Sequence, residues 1–263
     1  LCYRIFCNPG TDRAVIFPPT YGMYGVSAAI NDVEVINVPL DQDFNIDIQA
    51  VIPLLDDERI KLIFICSPNN PTGNCMDPES IEFIIRNFWG IVVIDEAYAD
   101  FSGMPSFIEK TGHYDNLIVM QTFSKAMGMA AARIGMAFSS PEILKYFFRM
   151  KPPYNISLLN QEAALAKLND IRPIAIQTET IVSERRRLAE KLATIPLVEK
   201  VWSSDANFLL VRVKDADAVY NKLIANNIVV RNRSREIGGC LRITTGTRSE
   251  NDRLLDELNK IRI

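Results

Sequence analysis

Three short polar segments of this sequence carry residue types that catalysis requires. They are residues 67–73 (SPNNPTG), 95–101 (DEAYADF) and 122–135 (TFSKAMGMAAARIG). Each follows a short apolar run of the kind that forms a buried parallel strand. Because open parallel sheets bind ligands in the crevice at the carboxyl ends of their strands, we expect the three segments to meet there.

Each segment taken alone has an ordinary structural interpretation. The NPTG run is typical of a turn, the Asp-Glu pair of a helix cap or a solvated edge, and a lone lysine of the surface. Taken together, they bring an amine, a carboxylate, a phenol, an amide, two hydroxyls and a guanidinium to one crevice, which is the set that pyridoxal phosphate requires. Lys125 could hold the aldehyde as a Schiff base, and Asp95 could keep the pyridine nitrogen protonated.

The remaining polar residues match the other parts of this cofactor. Asn70 and Tyr98 can donate hydrogen bonds to the ring oxygen beside the aldehyde. Thr122, Ser124 and Arg133 supply the hydroxyls and the fixed cation that a phosphate needs. The sequence therefore predicts a pyridoxal-phosphate site.

Composition excludes several other classes of protein. The 263 residues carry a net charge of -3, which gives no general attraction to nucleic acid, and the apolar runs are too short to span a membrane. Five cysteines without a C-x-x-C pair argue against a disulfide framework and a zinc site, and favour reduced thiols in a cytoplasmic protein. The single histidine, His113, leaves little basis for a catalytic triad or a metal site.

The apolar pattern predicts two domains. We expect residues 1–170 to form a three-layer α/β/α domain whose mostly parallel sheet binds the cofactor, and residues 171–263 to form a small α+β domain. The expected strands of the first domain are 14–17, 34–39, 62–66, 91–94, 117–121 and 134–138, with a helix that begins at Asp77 and Pro78. In the second domain we expect helices over 178–192 and 216–225, strands over 207–213, 228–231 and 241–244, and a last helix that opens with a capping box of Thr247 and Glu250.

The chain resembles the fold-type I pyridoxal-phosphate aminotransferases and, within them, the histidinol-phosphate aminotransferase family. The resemblance covers essentially the whole chain and rests on seven ordered motifs: PPTYGMY (18–24), SPNNPTG (67–73), DEAY (95–98), TFSK (122–125), RIG (133–135), ANFLLVR (206–212) and CLRITTGT (240–247). It implies transfer of an amino group between histidinol phosphate, a phosphorylated amino alcohol, and 2-oxoglutarate, which yields glutamate, in histidine biosynthesis. It also implies a homodimer.

The resemblance assigns three further residues. Tyr21 would stack on the pyridine ring, Arg242 would bind the glutamate carboxylate in one half-reaction and the substrate phosphate in the other, and Arg231 would be a second phosphate-binding arginine. For Arg233 and Arg235 we favour a solvated basic edge strand.

The sequence departs from the family pattern in two places. Three alanines, residues 130–132, stand where relatives carry a Gly-Leu type of turn. The chain also has no initiator methionine and lacks the upstream turn and tyrosine of the family, so we expect that an N-terminal segment is absent.

Two alternatives remain open at this point. One is a related enzyme that decarboxylates threonine phosphate or transaminates aromatic amino acids. The other is a truncated, non-catalytic fragment.

Overall fold

The computed structural model describes residues 1–262, and its first half is built on a six-stranded sheet. The strands are β1 (Arg13–Ile16), β2 (Glu34–Asn37), β3 (Ile60–Cys66), β4 (Ile91–Asp95), β5 (Leu117–Thr122) and β6 (Gly135–Ser139). Their order is β2-β1-β3-β4-β5-β6, and β1 to β5 are parallel. Strand β6 runs antiparallel to β5, because the segment between them forms a loop and a short 3₁₀ turn instead of a crossover helix.

Helices cover both faces of this sheet, as predicted for a three-layer α/β/α fold. They are α1 (Cys2–Phe6), α2 (Met23–Ile30), α3 (Ile48–Val51), α4 (Pro78–Asn87) and α5 (Pro141–Met150). In β3 the side chains alternate. Leu62, Phe64 and Cys66 pack with α1, α2 and α5, whereas Ile63 and Ile65 pack with α3 and α4.

The entry of α4 confirms its predicted start. The side chain of Asp77 accepts a hydrogen bond from the backbone N–H of Ser80, and Pro78 occupies the first turn. The helix follows the loop that carries Asn70 and packs on the sheet through Ile81, Ile84 and Ile85.

The second half contains a four-stranded antiparallel sheet. Its elements are α6 (Leu158–Asn169), α7 (Arg172–Leu192), β7 (Val198–Val201), β8 (Phe208–Val213), α8 (Ala216–Ala225), β9 (Arg231–Asn232), β10 (Cys240–Thr244) and α9 (Arg248–Lys260), with strand order β7-β8-β10-β9. The bounds of α8 and the capping box of Thr247 and Glu250 match the prediction.

Most predicted strand ends differ from the observed ones by one or two residues, and the largest differences are in α7 and β9. Helix α7 begins at Arg172 instead of near residue 178, and β9 is limited to Arg231–Asn232 instead of residues 228–231. The Ile-Val-Val run of residues 228–230 has strand propensity. It lies in the connection between α8 and β9 and pairs with no strand in the described part of the chain.

Strand β8 connects the two halves through both of its faces. Leu209 and Val211 pack into the core of the second half, whereas Leu210 packs against residues of the first sheet, and Phe208 packs against Tyr98. No helix within residues 1–262 is both long and apolar enough to cross a lipid bilayer.

Candidate active site

A cavity of about 510 Å³ lies at the carboxyl ends of β3, β4 and β5 and is bordered by β9 and β10. All ten residues that the sequence predicted for the site line this cavity: Tyr21, Asn70, Asp95, Tyr98, Thr122, Ser124, Lys125, Arg133, Arg231 and Arg242. Seven of them, all except Tyr21, Arg231 and Arg242, come from the three polar segments at the ends of β3, β4 and β5, so the parallel sheet brings them together as expected.

Asp95 ends β4 on the face that α1, α2 and α5 cover. One carboxylate oxygen, Oδ2, accepts a hydrogen bond from the hydroxyl of Tyr24 over 2.7 Å, and Oδ1 accepts one from the backbone N–H of Ala97 over 3.1 Å. Burial raises the pKa of Asp95, while these two hydrogen bonds lower it. A carboxylate in this environment favours a cationic partner, such as a protonated ring nitrogen.

Lys125 lies in the loop after β5, next to Ser124 and three residues beyond Thr122, which ends the strand. Its Nζ lies 5.0 Å from the centre of the Tyr98 ring. Burial lowers the pKa of Lys125, and the positive charge of Arg242 lowers it further. A larger fraction of this amine is therefore neutral than for a lysine in water, and a neutral amine is the form that attacks an aldehyde.

Two neutral hydrogen-bond donors face the same cavity. Tyr98 is buried with its ring edge-on to Phe208 at 5.1 Å between ring centres, and burial raises the pKa of its phenol to about 12. It therefore keeps its proton at neutral pH. Asn70 accepts a 2.6 Å hydrogen bond from Arg242 Nη1 through Oδ1, which leaves its amide nitrogen as the donor to a ligand.

The loop after β5 forms the predicted phosphate end of the cavity. The hydroxyl of Thr122 lies 2.9 Å from that of Ser124 and accepts a hydrogen bond from the backbone N–H of Ser124. Arg133 has a φ of 54°, an uncommon left-handed conformation for a residue other than glycine. It follows a 3₁₀ turn, Ala130–Ala132, and its Nη1 donates to the Ala130 carbonyl, so the alanines keep the arginine at the cavity.

Tyr21 is half-exposed at the cavity, with 42% of its surface accessible. Its ring lies edge-on to that of Tyr24, with 5.5 Å between the ring centres and an angle of 87° between the planes. An aromatic side chain with one open face fits a stacking role.

The opposite wall of the cavity is strongly basic. Arg231, Arg233 and Arg242 line it, and the Nε atoms of Arg233 and Arg242 are buried without a hydrogen-bond partner among residues 1–262. The interpretation of Arg233 as a solvated edge residue is therefore wrong, whereas Arg235 is exposed as expected. The spacing of two between Arg231 and Arg233 is the signal that could have identified it. Arg233 directly follows β9, and its backbone N–H still donates to the Cys240 carbonyl of β10, so the alternation of side chains extends to it.

Two further residues near the cavity were not assigned from the sequence. Cys66 lines it next to Asp95, and burial raises the pKa of the thiol, so it stays neutral. Tyr24 lies behind Asp95 and donates to it.

The chemistry of these side chains fits pyridoxal phosphate. An amine with a lowered pKa, a carboxylate for the ring nitrogen, two neutral donors and a hydroxyl-rich loop with an arginine occupy one cavity. The unpartnered Nε of Arg242 supplies a cationic donor that an anionic ligand would satisfy.

Comparisons with known proteins agree with this geometry. The family model for aminotransferase class I and II matches residues 1–258. The histidinol-phosphate aminotransferase of Parabacteroides distasonis is 51% identical over 265 residues, which span 100% of this chain and 76% of that protein. The chain belongs to the class I and II aminotransferase family.

Solved structures show the same fold. The histidinol-phosphate aminotransferase of Clostridium acetobutylicum superposes with a TM-score of 0.89 at 27% identity, over 95% of this chain and 78% of that one. The enzyme of the same name from Sinorhizobium meliloti, solved in complex with pyridoxal-5'-phosphate, has a TM-score of 0.88 at 25% identity, over 98% of this chain and 72% of that one.

Proposed function

We propose that this protein is a pyridoxal-phosphate-dependent aminotransferase that transfers the amino group of histidinol phosphate to 2-oxoglutarate in histidine biosynthesis. The observation that carries the proposal is that Lys125 and Asp95 share one cavity with three arginines, Arg231, Arg233 and Arg242. A phosphate ester and a dicarboxylate both need such cations next to the reacting amine. The relatives that match nearly the full chain carry the name of this activity.

The cofactor, when bound, supplies an aldehyde and an electron-withdrawing ring. The carboxylate of Asp95 would hold a proton on the ring nitrogen by charge pairing. Asn70 and Tyr98 would donate to the ring oxygen, and Tyr21 would stack on the ring. Thr122, Ser124 and Arg133 would bind the cofactor phosphate. All of these residues line the one cavity.

Lys125 moves the protons. Its pKa is lowered by burial and by Arg242, so its Nζ can accept the proton that leaves Cα of the substrate. The same nitrogen, now protonated, would deliver the proton to the former aldehyde carbon of the cofactor instead of to Cα, so that the amino group can leave the substrate. The general base is therefore the residue that holds the cofactor between turnovers.

Arg231 and Arg242 bind the acidic end of each substrate. The two half-reactions present different anions, a phosphate and a carboxylate, at the same end of the cavity. A guanidinium can bind either one through two parallel hydrogen bonds. Binding at this end would hold either substrate in the cavity that Lys125 also lines.

Substrate assays test the proposed reaction. The protein reconstituted with pyridoxal phosphate should form glutamate from 2-oxoglutarate fastest, by kcat/KM, with histidinol phosphate as donor. Threonine phosphate and the aromatic amino acids are the competing substrates. Faster release of CO₂ from threonine phosphate, or a higher kcat/KM with an aromatic donor, would overturn the assignment.

A separate labelling experiment tests whether the chain is an inert fragment. Reduction of the reconstituted protein with borohydride, followed by peptide mass mapping, should locate the cofactor mass on Lys125. A Lys125→Ala variant serves as the control and should carry no label. A wild-type protein without a label at that residue would support the inert alternative.

We further propose that the chain divides into a cofactor-binding domain, residues 1–170, and a small domain, residues 171–263, and that it works as a homodimer in the cytoplasm. Five unpaired cysteines support a reducing compartment. Large apolar side chains on α5 and α6 are exposed, among them Phe148 (70%), Leu158 (68%) and Leu159 (77%), and support a self-association surface. Light scattering should give twice the chain mass, and Leu159→Asp should halve it.

A further inference from the structure

Tyr24 is buried behind the predicted site and touches two of its residues. Its hydroxyl donates to Oδ2 of Asp95 over 2.7 Å, and its ring meets the Tyr21 ring edge-on. Asp95 is the partner proposed for the ring nitrogen of the cofactor, and Tyr21 is the side chain proposed to stack on that ring. One side chain of α2 therefore contacts both groups that would fix the cofactor ring.

Packing holds Tyr24 in place from two sides. Its ring stacks on Phe64 of β3 with 5.2 Å between the ring centres, and Phe64 also stacks with Tyr3 of α1 at 5.2 Å. The Tyr3 hydroxyl donates to the backbone carbonyl of Tyr24 over 3.0 Å. Only 5% of Tyr24 is exposed, so its hydroxyl has a fixed position.

The direction of the Tyr24–Asp95 hydrogen bond is also fixed. Burial raises the pKa of the Tyr24 phenol well above its usual value, so the hydroxyl keeps its proton and acts as a donor. The thiol of Cys66, which lies next to Asp95, is neutral for the same reason and adds no competing negative charge. Asp95 is thus the anionic acceptor of this buried cluster.

The hydrogen bond opposes the effect of burial on Asp95. Burial favours the neutral acid, which cannot hold a proton on a ring nitrogen by charge pairing, whereas a donated hydrogen bond favours the carboxylate. The bonds from Tyr24 and Ala97 use one lone pair on each oxygen and set the plane of the carboxylate. The cavity side of the group is left for a cationic partner.

We infer that Tyr24 is a positioning residue for this active site: its hydroxyl keeps Asp95 ionised and oriented toward the cofactor ring nitrogen, and its ring sets the tilt of Tyr21. The inference rests on the proposed function only in requiring that the cavity bind pyridoxal phosphate. It does not depend on which amino donor the enzyme uses.

The test compares Tyr24→Phe with Tyr3→Phe. Each variant removes one buried phenol hydroxyl and one hydrogen bond from the same aromatic stack, but only the first removes a bond to Asp95. We expect Tyr24→Phe to weaken binding of pyridoxal phosphate roughly 10- to 100-fold, since hydrogen bonds to charged groups have this size. Tyr3→Phe keeps the Tyr24–Asp95 bond and should lower the cofactor affinity far less than Tyr24→Phe does.

Two further readouts separate positioning from loss of stability. In Tyr24→Phe the pH midpoint of the visible absorption band of the bound cofactor should move upward. The band reports the protonation of Lys125 Nζ where it joins the cofactor, and a ring nitrogen that is less protonated repels this positive charge less. The kcat with the amino donor that the wild-type enzyme prefers should fall while KM stays near the wild-type value. Thermal unfolding of both variants without cofactor measures the structural effect alone.

A double-mutant cycle keeps the inference falsifiable if Tyr24→Phe lowers stability strongly. In an Asp95→Asn background, Tyr24→Phe should cost little further cofactor affinity. The inference is overturned by additive losses, by a wild-type affinity and pH midpoint in Tyr24→Phe, or by the same changes in Tyr3→Phe. Wild-type protein that binds no cofactor would overturn the proposed function and this inference together, whereas a preference for another donor would overturn only the function.

Discussion

Arg242 Nη1 donates to Oδ1 of Asn70 over 2.6 Å, although the two residues are 172 positions apart in the sequence. Asn70 lies in the loop after β3 of the first sheet, and Arg242 lies on β10 of the second. The bond turns the amide nitrogen of Asn70 away from Arg242 and makes it available to a ligand. It also holds the guanidinium at the basic wall. The arginine proposed for substrate binding therefore orients an amide proposed for cofactor binding.

Replacing Arg242 should consequently affect both ligands. We expect Arg242→Lys to raise KM for histidinol phosphate and for 2-oxoglutarate roughly tenfold or more, because an ammonium cannot form the paired hydrogen bonds of a guanidinium. The affinity for pyridoxal phosphate should also fall, since Asn70 loses the bond that orients it. Steady-state kinetics and a cofactor titration measure these effects.

The control for Arg242 is an exposed arginine of the same region. Arg235→Lys keeps the same change of residue type at a position that faces solvent. It should leave both KM values and the cofactor affinity unchanged. Equal effects in the two variants, or a change in kcat alone for Arg242→Lys, would contradict the role given to Arg242.

Most of the cofactor side of the cavity could be predicted from the sequence, because its residues directly follow strands. Strands β3, β4 and β5 are short apolar runs, and the residues after parallel strands must meet at one sheet edge. No side-chain contact has to be known for this inference. Asp95 and Lys125 were therefore predicted from pattern alone.

The residues that the sequence did not reveal depend on packing. Arg233 lies in a run of charged residues whose usual position is solvent. Its spacing from Arg231 is a weak signal, and the bond of its backbone N–H to Cys240 of β10 holds it beside the cavity. Tyr24 stands in a helix where an aromatic residue usually belongs to the core. Its contact with Asp95 depends on how α2 packs on the sheet, and a residue pattern does not give this angle.

The lowered pKa of Lys125 predicts how the apoprotein captures pyridoxal phosphate. Only the neutral amine reacts, so the capture rate should rise with pH and reach a plateau. The pH at which the rate is half its plateau value should lie below 10.5, the ordinary pKa of lysine. Arg242→Gln should raise this midpoint, because it removes a neighbouring positive charge. Stopped-flow absorbance across a pH series measures both. A midpoint at the ordinary lysine value in wild type would contradict the prediction.

The raised pKa of Asp95 predicts a gain in stability when its charge is removed. The pKa of Asp95 in the folded protein lies above the ordinary value of 3.8. Its ionisation therefore lowers the free energy of unfolding by the full amount above the folded pKa, and has no effect at pH values well below 3.8, where the group is protonated in both states. Asp95→Asn in the apoprotein should be more stable by roughly 0.5–2 kcal/mol at pH 7, a size common for relieving an unfavourable functional group. At pH values below 3.8 the variant should be little more stable than wild type.

Urea unfolding of the apoproteins at both pH values measures this difference. The same variant should bind pyridoxal phosphate more weakly, because the amide carries no charge for the ring nitrogen. An Asp95→Asn protein that is less stable than wild type at pH 7 would show that the carboxylate contributes more to folding than its burial costs.

Arg185 joins the two halves of the molecule and should be important for stability rather than for chemistry. Its guanidinium, on α7, is buried and donates to the carbonyl of Phe101, after β4, and to that of Ala206, before β8. Arg185→Met preserves most of the apolar stem but leaves two buried carbonyls without a donor, which should cost about 2–4 kcal/mol of unfolding free energy. Arg186→Met, at the exposed neighbouring position, should change it little. Urea unfolding of both variants without cofactor provides the comparison, and equal stability of the two would mean that water replaces the guanidinium at these carbonyls.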